Sequence, residues 1–279
     1  MSITTHIRNW IDRSEPDYYI MFIKAWIPYN AWYMHNFYDE DAKRTNDKSI
    51  IRYIGKEVNL YKNKIISLLR GSDEDSTVFK ELLWRLHCEL EKHPIPDYID
   101  NISFSHICIE DNSQQTYTFN TKKYTFIGNY DKNKPKTTPR CKFDVIETKS
   151  LKTISSVELL KCSMSELLNN ADYKAICKDE IKKGIEHCLK EIDPNKKISI
   201  INTPKPRKGK SQRPANSIII KDDKLFFRDN IEDVSKAIIQ ILYELRCKLF
   251  HGEIEPTNAN IGIYEQAFYI QRMLIKELE

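Results

Sequence analysis

The stretch that decides the fold is DVSKAIIQILYELRCKLFHG, residues 233–252 of a 279-residue chain. It predicts one amphipathic helix over residues 233 to about 250, because its apolar residues recur at helical spacing. Gly252 follows at a position where glycine can end a helix in the left-handed conformation. A final helix is predicted over residues 258–278. The apolar face of the first helix comprises Val234, Ala237, Ile238, Ile241, Leu242, Leu245 and Leu249.

Three more helices are predicted in the first hundred residues, over 19–38, 48–69 and 76–91. The first is dense in aromatic residues and contains Pro28, so we expect it either to kink there or to start near that residue. The third is preceded by an acidic segment, SDED at residues 72–75, which suits a helix N-terminus.

The middle of the chain has a different residue pattern. Short β-rich runs joined by polar turns lie between residues 102 and 146, and we expect them to form a small insertion. Further along, a hairpin is predicted with a turn at Asp222 and Asp223. The remaining predicted elements are strands at 105–110, 116–119, 124–127 and 198–201, helices at 155–169 and 173–191, and the hairpin strands 217–220 and 224–227.

The predicted fold class is therefore mainly α, a helical bundle with a small β-rich insertion. Residues 1–100 would supply the N-terminal helices of the bundle and residues 101–150 the insertion. Residues 151–232 would hold a helical pair, a basic loop and the hairpin. Residues 233–279 would supply the C-terminal helices.

Composition limits the class of protein. Charged residues make up 30% of the chain and hydrophobic residues 41%, which is typical of a globular protein. No apolar run approaches the roughly 20 residues needed to cross a bilayer, and the N-terminal segment lacks the apolar core of a signal peptide. The seven cysteines are scattered and include no CxxC pair. We therefore expect a cytoplasmic protein without a disulfide framework, a zinc site, a metal, a cofactor or a membrane partner.

The net charge of +4 permits nucleic-acid binding, and what matters is how the charges cluster. The first cluster, here called the basic loop, lies in a proline-containing stretch and is interpreted as either an RNA-phosphate contact or a solvated loop. A second, looser cluster has the same two interpretations. The basic loop comprises Lys205, Arg207, Lys208, Lys210 and Arg213, and the second cluster comprises Lys132, Lys134, Lys136, Arg140 and Lys142.

The residues that carry chemistry are Arg246 and His251. Five positions apart on a helix, they are about 140° apart around the axis and ~7.5 Å along it. Because His251 stands at the end of the helix, both side chains can still turn toward one cleft. A histidine that titrates near neutrality can move the proton of an RNA 2′-hydroxyl, and arginine can hold the charged phosphate in its fork. One site has only one histidine, so a symmetric dimer would complete the acid–base pair.

The Arg246-x4-His251 pair followed by Gly252, on the penultimate helix, resembles the RX4–6H motif of the HEPN superfamily. The run FIKAWIPYNAWY, residues 22–33, is similar to the aromatic first helix of several HEPN families. The resemblance implies a core of four to five helices, a homodimer with the active site at its interface, and metal-independent endoribonuclease activity. It also implies a role in a toxin–antitoxin or anti-phage system, with an antitoxin or regulatory protein as a partner.

The chain departs from the family pattern at Cys247, where Asn, Asp or His is common. A thiol is a weak hydrogen-bonding group, so support for the phosphate or the histidine from this position is in doubt. Asn30 on the first helix is a candidate to supply a polar group to the same cleft.

Two alternatives stay open. Asp131 or Asp144, followed by Glu147 and Lys149, is similar to the D…ExK pattern of metal-dependent DNA nucleases, whose carboxylates hold magnesium. The chain could also be a non-catalytic dimer that binds RNA, a nucleotide or a partner protein.

Overall fold

The computed structural model describes residues 3–5, 7–8, 16–97, 100–108, 114–203 and 214–278. Within these ranges the chain is mainly α, with one small antiparallel sheet and one hairpin. It divides into two compact units. The first unit comprises Met1–Ile109 together with Ile198–Glu279, and the second unit is Glu110–Lys197. The basic loop lies outside the described residues.

The longer elements are numbered in chain order. The helices are α1 Tyr18–Phe37, α2 Asp47–Lys56, α3 Leu60–Arg70, α4 Glu74–Lys92, α5 Met164–Asn169, α6 Ala171–Ala175, α7 Asp179–Ile192, α8 Ile231–Phe250 and α9 Asn258–Ile275. The strands are β1 Thr116–Asn120, β2 Tyr124–Tyr130, β3 Cys141–Glu147, β4 Thr153–Leu159, β5 Ser217–Lys221 and β6 Leu225–Arg228. A 3-10 turn, Lys276–Leu278, follows α9.

Helix α1 runs through Pro28 without a break, so the predicted start near that residue was wrong. Pro28 is exposed. The opposite face of α1 is buried and packs on α9, where the rings of Phe22 and Tyr264 lie 5.7 Å apart. The Tyr19 hydroxyl donates to the Thr257 carbonyl at 2.8 Å. Helices from both ends of the sequence therefore share one core, as predicted.

The single helix predicted over 48–69 was wrong, because the chain leaves the helical path between α2 and α3. Asn59 caps α3, accepting a hydrogen bond from the Lys62 amide at 2.9 Å, and its amide group donates to the Ile54 carbonyl at 2.8 Å. Val58, in the break between the two helices, is 83% exposed. An asparagine side chain that bonds the backbone competes with helix continuation, and here it outweighs the apolar periodicity.

The predicted hairpin is present as β5 and β6, with Asp223 in the left-handed region at φ 55°. The predicted strands 105–110 and 198–201 are not formed among the described residues. They are reduced to single bridges, Ile107 with Ile198 and Ile201 with Phe227. The segment 198–202 makes only scattered backbone hydrogen bonds, to Phe104 and Ile107 on one side and to Phe226 and Arg228 on the other.

The second unit is a four-stranded antiparallel sheet in the order β1-β2-β3-β4, with α7 packed on one face. The helix predicted over 155–169 was wrong, because its first part is β4 and α5 covers only the end. In β4, buried Val157 and Leu159 alternate with exposed residues, which is the period of a strand. The helix predicted over 173–191 is divided into α6 and α7. Gly184 allows α7 to lie directly against the ring of Phe126, where a Cβ atom would overlap.

Cys141 and Cys162 form a disulfide within the second unit, with Cα atoms 5.6 Å apart. The sequence predicted no disulfide framework, and this one disulfide was not foreseen. The antiparallel register places Cys141 opposite Leu159, three residues before Cys162, and this proximity does not show in the cysteine spacing. No described helix is both long enough and apolar enough to span a bilayer.

Candidate functional site

The arginine of the motif lies one turn before the end of α8 and is held by a carboxylate from another helix. An Nη atom of Arg246 lies 3.0 Å from an Oδ atom of Asp47, the first residue of α2. The two side chains are only 18% and 27% exposed, which protects the ion pair from solvent screening. The guanidinium carbon also lies 4.3 Å from the ring centroid of Phe250, one turn further along α8. Arg246 is thus fixed between an anion and an aromatic face.

Part of the guanidinium still has hydrogen-bonding capacity. Arg246 Nε is buried and makes no hydrogen bond within the described part of the chain. Guanidinium nitrogens only donate hydrogen bonds, and a buried donor without an acceptor is costly. An anion that reached this edge of the side chain would therefore gain a donor that the folded chain leaves unused.

Helix α1 adds two polar side chains, Asn30 and Tyr33, to the cluster formed by Arg246 and Asp47. Tyr33 is fully buried, and burial raises the pKa of its hydroxyl to about 12, with the negative charge of Asp47 contributing to the rise. The Asn30 amide donates a hydrogen bond to the Tyr33 hydroxyl. Asn30 therefore reaches the Arg246 cluster through Tyr33 and Asp47 and makes no direct bond to the guanidinium.

Cys247 and Tyr243 lie one turn apart on the same face of α8. Burial raises the pKa of the Tyr243 hydroxyl, and its hydrogen bond with the Cys247 thiol adds to the rise. The Tyr243 ring in turn lies 6.4 Å from Trp26 on α1. The thiol thus interacts with the half-buried tyrosine between α8 and α1.

His251 is the C-terminal cap of α8, and its backbone amide donates to the Cys247 carbonyl at 2.9 Å. Gly252 follows with φ +65°, which confirms the predicted left-handed end of the helix. The imidazole is exposed and, among the described residues, makes no hydrogen bond or ion pair. Arg246 and His251 lie at the same end of α8, and no hydrogen bond joins them within the chain.

The carboxylates of the D…ExK alternative do not converge. Asp144 and Glu147 are three residues apart on β3, so their side chains project to opposite faces of the sheet. Asp144 accepts a hydrogen bond from Ser156 at 2.7 Å, and Glu147 accepts one from Ser150 at 2.7 Å. Asp131 bonds the amide of Asn133 in the loop after β2. Within the described ranges, no group of three His, Cys, Asp or Glu side chains is arranged to hold a metal ion.

Of the two basic clusters, only the second lies within the described residues. Three of its lysines, Lys132, Lys134 and Lys136, are exposed on the loop between β2 and β3. Arg140 instead folds back over the loop, donating to the Lys132 carbonyl at 2.6 Å and lying 5.3 Å from the Tyr130 ring centroid.

No family model, no curated protein and no solved structure matches the chain. The HEPN resemblance therefore depends on α1 and on the motif at the end of α8.

Sequence reasoning missed Asp47, Tyr33 and Tyr243 as members of the cluster. Tyr33 lies within the aromatic run of α1, where nothing in the local sequence distinguishes it from its aromatic neighbours. Asp47 precedes the predicted helix by one residue, and Asn46 before it forms a capping box with Ser49. That local signal predicts a helix start, and only the packing of α2 on α8 brings the carboxylate to Arg246.

Proposed function

We propose that the chain is a metal-independent endoribonuclease of the HEPN type that acts as a homodimer. The observation that carries the proposal is the pairing of an anchored arginine with an exposed histidine at one end of α8. Arg246 has a buried, unused Nε donor, and His251 has an exposed imidazole. The Nε donor can bind a phosphate oxygen, and the imidazole can take up or donate a proton.

The reaction begins at the 2′-oxygen of the RNA. His251 of one copy takes the proton of the 2′-hydroxyl, and the oxygen attacks the adjacent phosphorus. As the bond to the 5′-oxygen breaks, His251 of the other copy donates a proton to that leaving oxygen. Arg246 donates hydrogen bonds to the non-bridging oxygens, where negative charge accumulates in the transition state. The products are a 2′,3′-cyclic phosphate and a 5′-hydroxyl.

Asp47 is a positioning residue in this scheme. Its carboxylate holds one edge of the guanidinium, which fixes the plane in which Arg246 presents its remaining donors. An arginine with fixed geometry loses less entropy when it binds a phosphate than a freely rotating one does. The carboxylate also repels an incoming phosphate, so Asp47 limits RNA affinity while it orients the guanidinium.

The dimer is proposed from the same end of α8. Phe250 is 50% exposed although its ring lies under the Arg246 guanidinium. A second copy that covered this ring would exclude water from both arginines and would bring two His251 side chains to one site. In a toxin or anti-phage system, a regulatory partner such as an antitoxin would act by blocking this surface.

The chemistry is tested by analysing the ends of the cleaved RNA in the presence of EDTA. We expect 2′,3′-cyclic phosphate and 5′-hydroxyl ends, and we expect no cleavage of RNA methylated at the 2′-oxygen of the scissile nucleotide. Cleavage of DNA at a comparable rate, or loss of cleavage on chelation, would contradict the proposal and favour a metal-dependent nuclease.

A second candidate function is a non-catalytic dimer that binds RNA or a nucleotide. The ion pair between Arg246 and Asp47 favours it, because a paired arginine can be structural. The two functions differ in whether the biological effect survives replacement of His251.

A further inference from the structure

A groove lies between α4 and α9 in the first unit, away from the residues of the proposed active site. Its volume is about 420 Å³, within the range of roughly 300–1,000 Å³ that is usual for small-molecule sites. A second hollow of about 280 Å³ shares Arg85, Glu265 and Gln266 with it and continues along the same two helices. The two hollows together offer room for a ligand larger than a single ring.

The floor of the groove is apolar and includes one aromatic ring. Val78 and Leu82 lie one turn apart on α4, and Tyr269 and Met273 lie one turn apart on α9. Side chains four residues apart share a helix face, so the two helices present facing apolar stripes. A flat apolar body can pack on the Tyr269 ring between these stripes.

The rim of the groove is positively charged. Arg272 on α9 and Lys276 in the 3-10 turn after it line the groove beyond Tyr269, and both are exposed. Neither forms an ion pair among the described residues, whereas Arg85 on α4 pairs with Glu81 at 3.0 Å. Two carboxylates also line the hollows, Glu89 in the second hollow and Glu265 in both, and Glu265 accepts a hydrogen bond from Gln266 Nε2 at 3.2 Å. Within the described part of the chain, Arg272 and Lys276 are therefore available to an anionic group.

Gln266 supplies an unused acceptor at the base of the groove. Its side chain lines both hollows and the residue is only 6% exposed, yet Oε1 has no hydrogen-bond partner within the described chain. A buried carbonyl without a donor lowers stability. A ligand N–H group that met Oε1 after a small rotation of the amide would remove that cost.

We infer that the groove between α4 and α9 binds a nucleoside phosphate. The base lies on Tyr269, its exocyclic amine donates to Gln266, and the phosphate binds Arg272 and Lys276. These three requirements, a flat apolar body, an N–H donor and an anion, occur together in a nucleotide. The site contains neither Arg246 nor His251 and is independent of the proposed ribonuclease activity.

The test uses the full chain, with adenosine monophosphate, adenosine and inorganic phosphate titrated separately by calorimetry. We expect adenosine monophosphate to bind at least about tenfold more tightly than either fragment, because the two halves of the site act together. Arg272→Gln and Tyr269→Ala should each weaken its binding about tenfold or more. The matched control is Lys174→Ala, which removes an exposed helical cation in the second unit and should change nothing. In the wild type, the methyl resonance of Met273 should shift on titration.

Three outcomes would overturn the inference. One is the absence of binding and of a Met273 shift at millimolar nucleotide, and another is unchanged affinity in both groove variants. The third is a concentration-dependent dimer that Arg272→Gln abolishes, because a second copy would then occupy the groove. Arg246→Ala and His251→Ala should leave nucleotide binding intact, so a failure of the ribonuclease proposal is distinguishable from a failure of this one.

Discussion

The guanidinium of Arg246, one turn before the end of α8, and the carboxylate of Asp47, the first residue of α2, form an ion pair 3.0 Å long. Both side chains are mostly shielded from solvent. The pair determines how Arg246 can act, because the edge that Asp47 holds is not available to a substrate. Any anion that Arg246 binds must approach its other edge or displace Asp47.

Asp47→Asn should separate binding from turnover. The amide keeps one acceptor for Arg246 but removes the charge that repels phosphate, so we expect RNA affinity to rise or hold. Turnover should fall about tenfold, because the guanidinium is less firmly oriented. Steady-state kinetics that resolve kcat from KM give the measurement.

The matched control for Asp47→Asn is Asp75→Asn. Asp75 also lies in the first turn of a helix, α4, and is exposed. It has the same favourable interaction with a helix N-terminus and no arginine partner among the described residues. If the two variants lose activity and thermal stability to the same extent, Asp47 is only a helix-stabilising residue.

Arg246→Lys should slow cleavage sharply although it retains the positive charge. Lysine cannot bond Asp47 and a phosphate through one planar group, and it cannot lie over Phe250 in the same way. We expect a loss on the order of 100-fold in kcat, as for removal of an oxyanion-stabilising donor. A variant that melts like the wild type and still cleaves at a similar rate would show that Arg246 is structural.

The placement of the motif could be predicted from the sequence because its signals are local. Apolar spacing predicts α8, and Gly252 predicts where it ends, so the positions of Arg246 and His251 on the helix follow. The contact between Arg246 and Asp47 could not be predicted, since it depends on how α2 packs on α8. Asn59 shows a local signal that was present in the sequence but was outweighed by apolar periodicity in the prediction.

The second unit was harder to predict for a related reason. In β4 only Val157 and Leu159 show a buried alternation, because Ile154 is exposed and Ser155 and Ser156 are polar. Its identity as a strand depends on pairing with β3, which is a contact between segments. The disulfide between Cys141 and Cys162 follows from that same pairing.

The basic loop should contribute to RNA affinity and not to the chemical step. Neutralising its five cations together should weaken binding and flatten the dependence of affinity on salt, because each phosphate contact releases counterions. At saturating RNA, kcat should stay the same. The five residues are Lys205, Arg207, Lys208, Lys210 and Arg213. A salt slope identical to that of the wild type would show that the loop is only solvated.

His251→Ala is the decisive substitution for the catalytic proposal. The imidazole is exposed and unbonded among the described residues, so its removal should leave the melting temperature unchanged. Turnover should fall on the order of 100-fold or more, as expected for a general acid–base group, while RNA affinity changes little. His106→Ala is the matched control, since His106 is also exposed and lies apart from the motif. A folded His251→Ala protein that cleaves RNA as fast as the wild type would replace the ribonuclease proposal with the binding function.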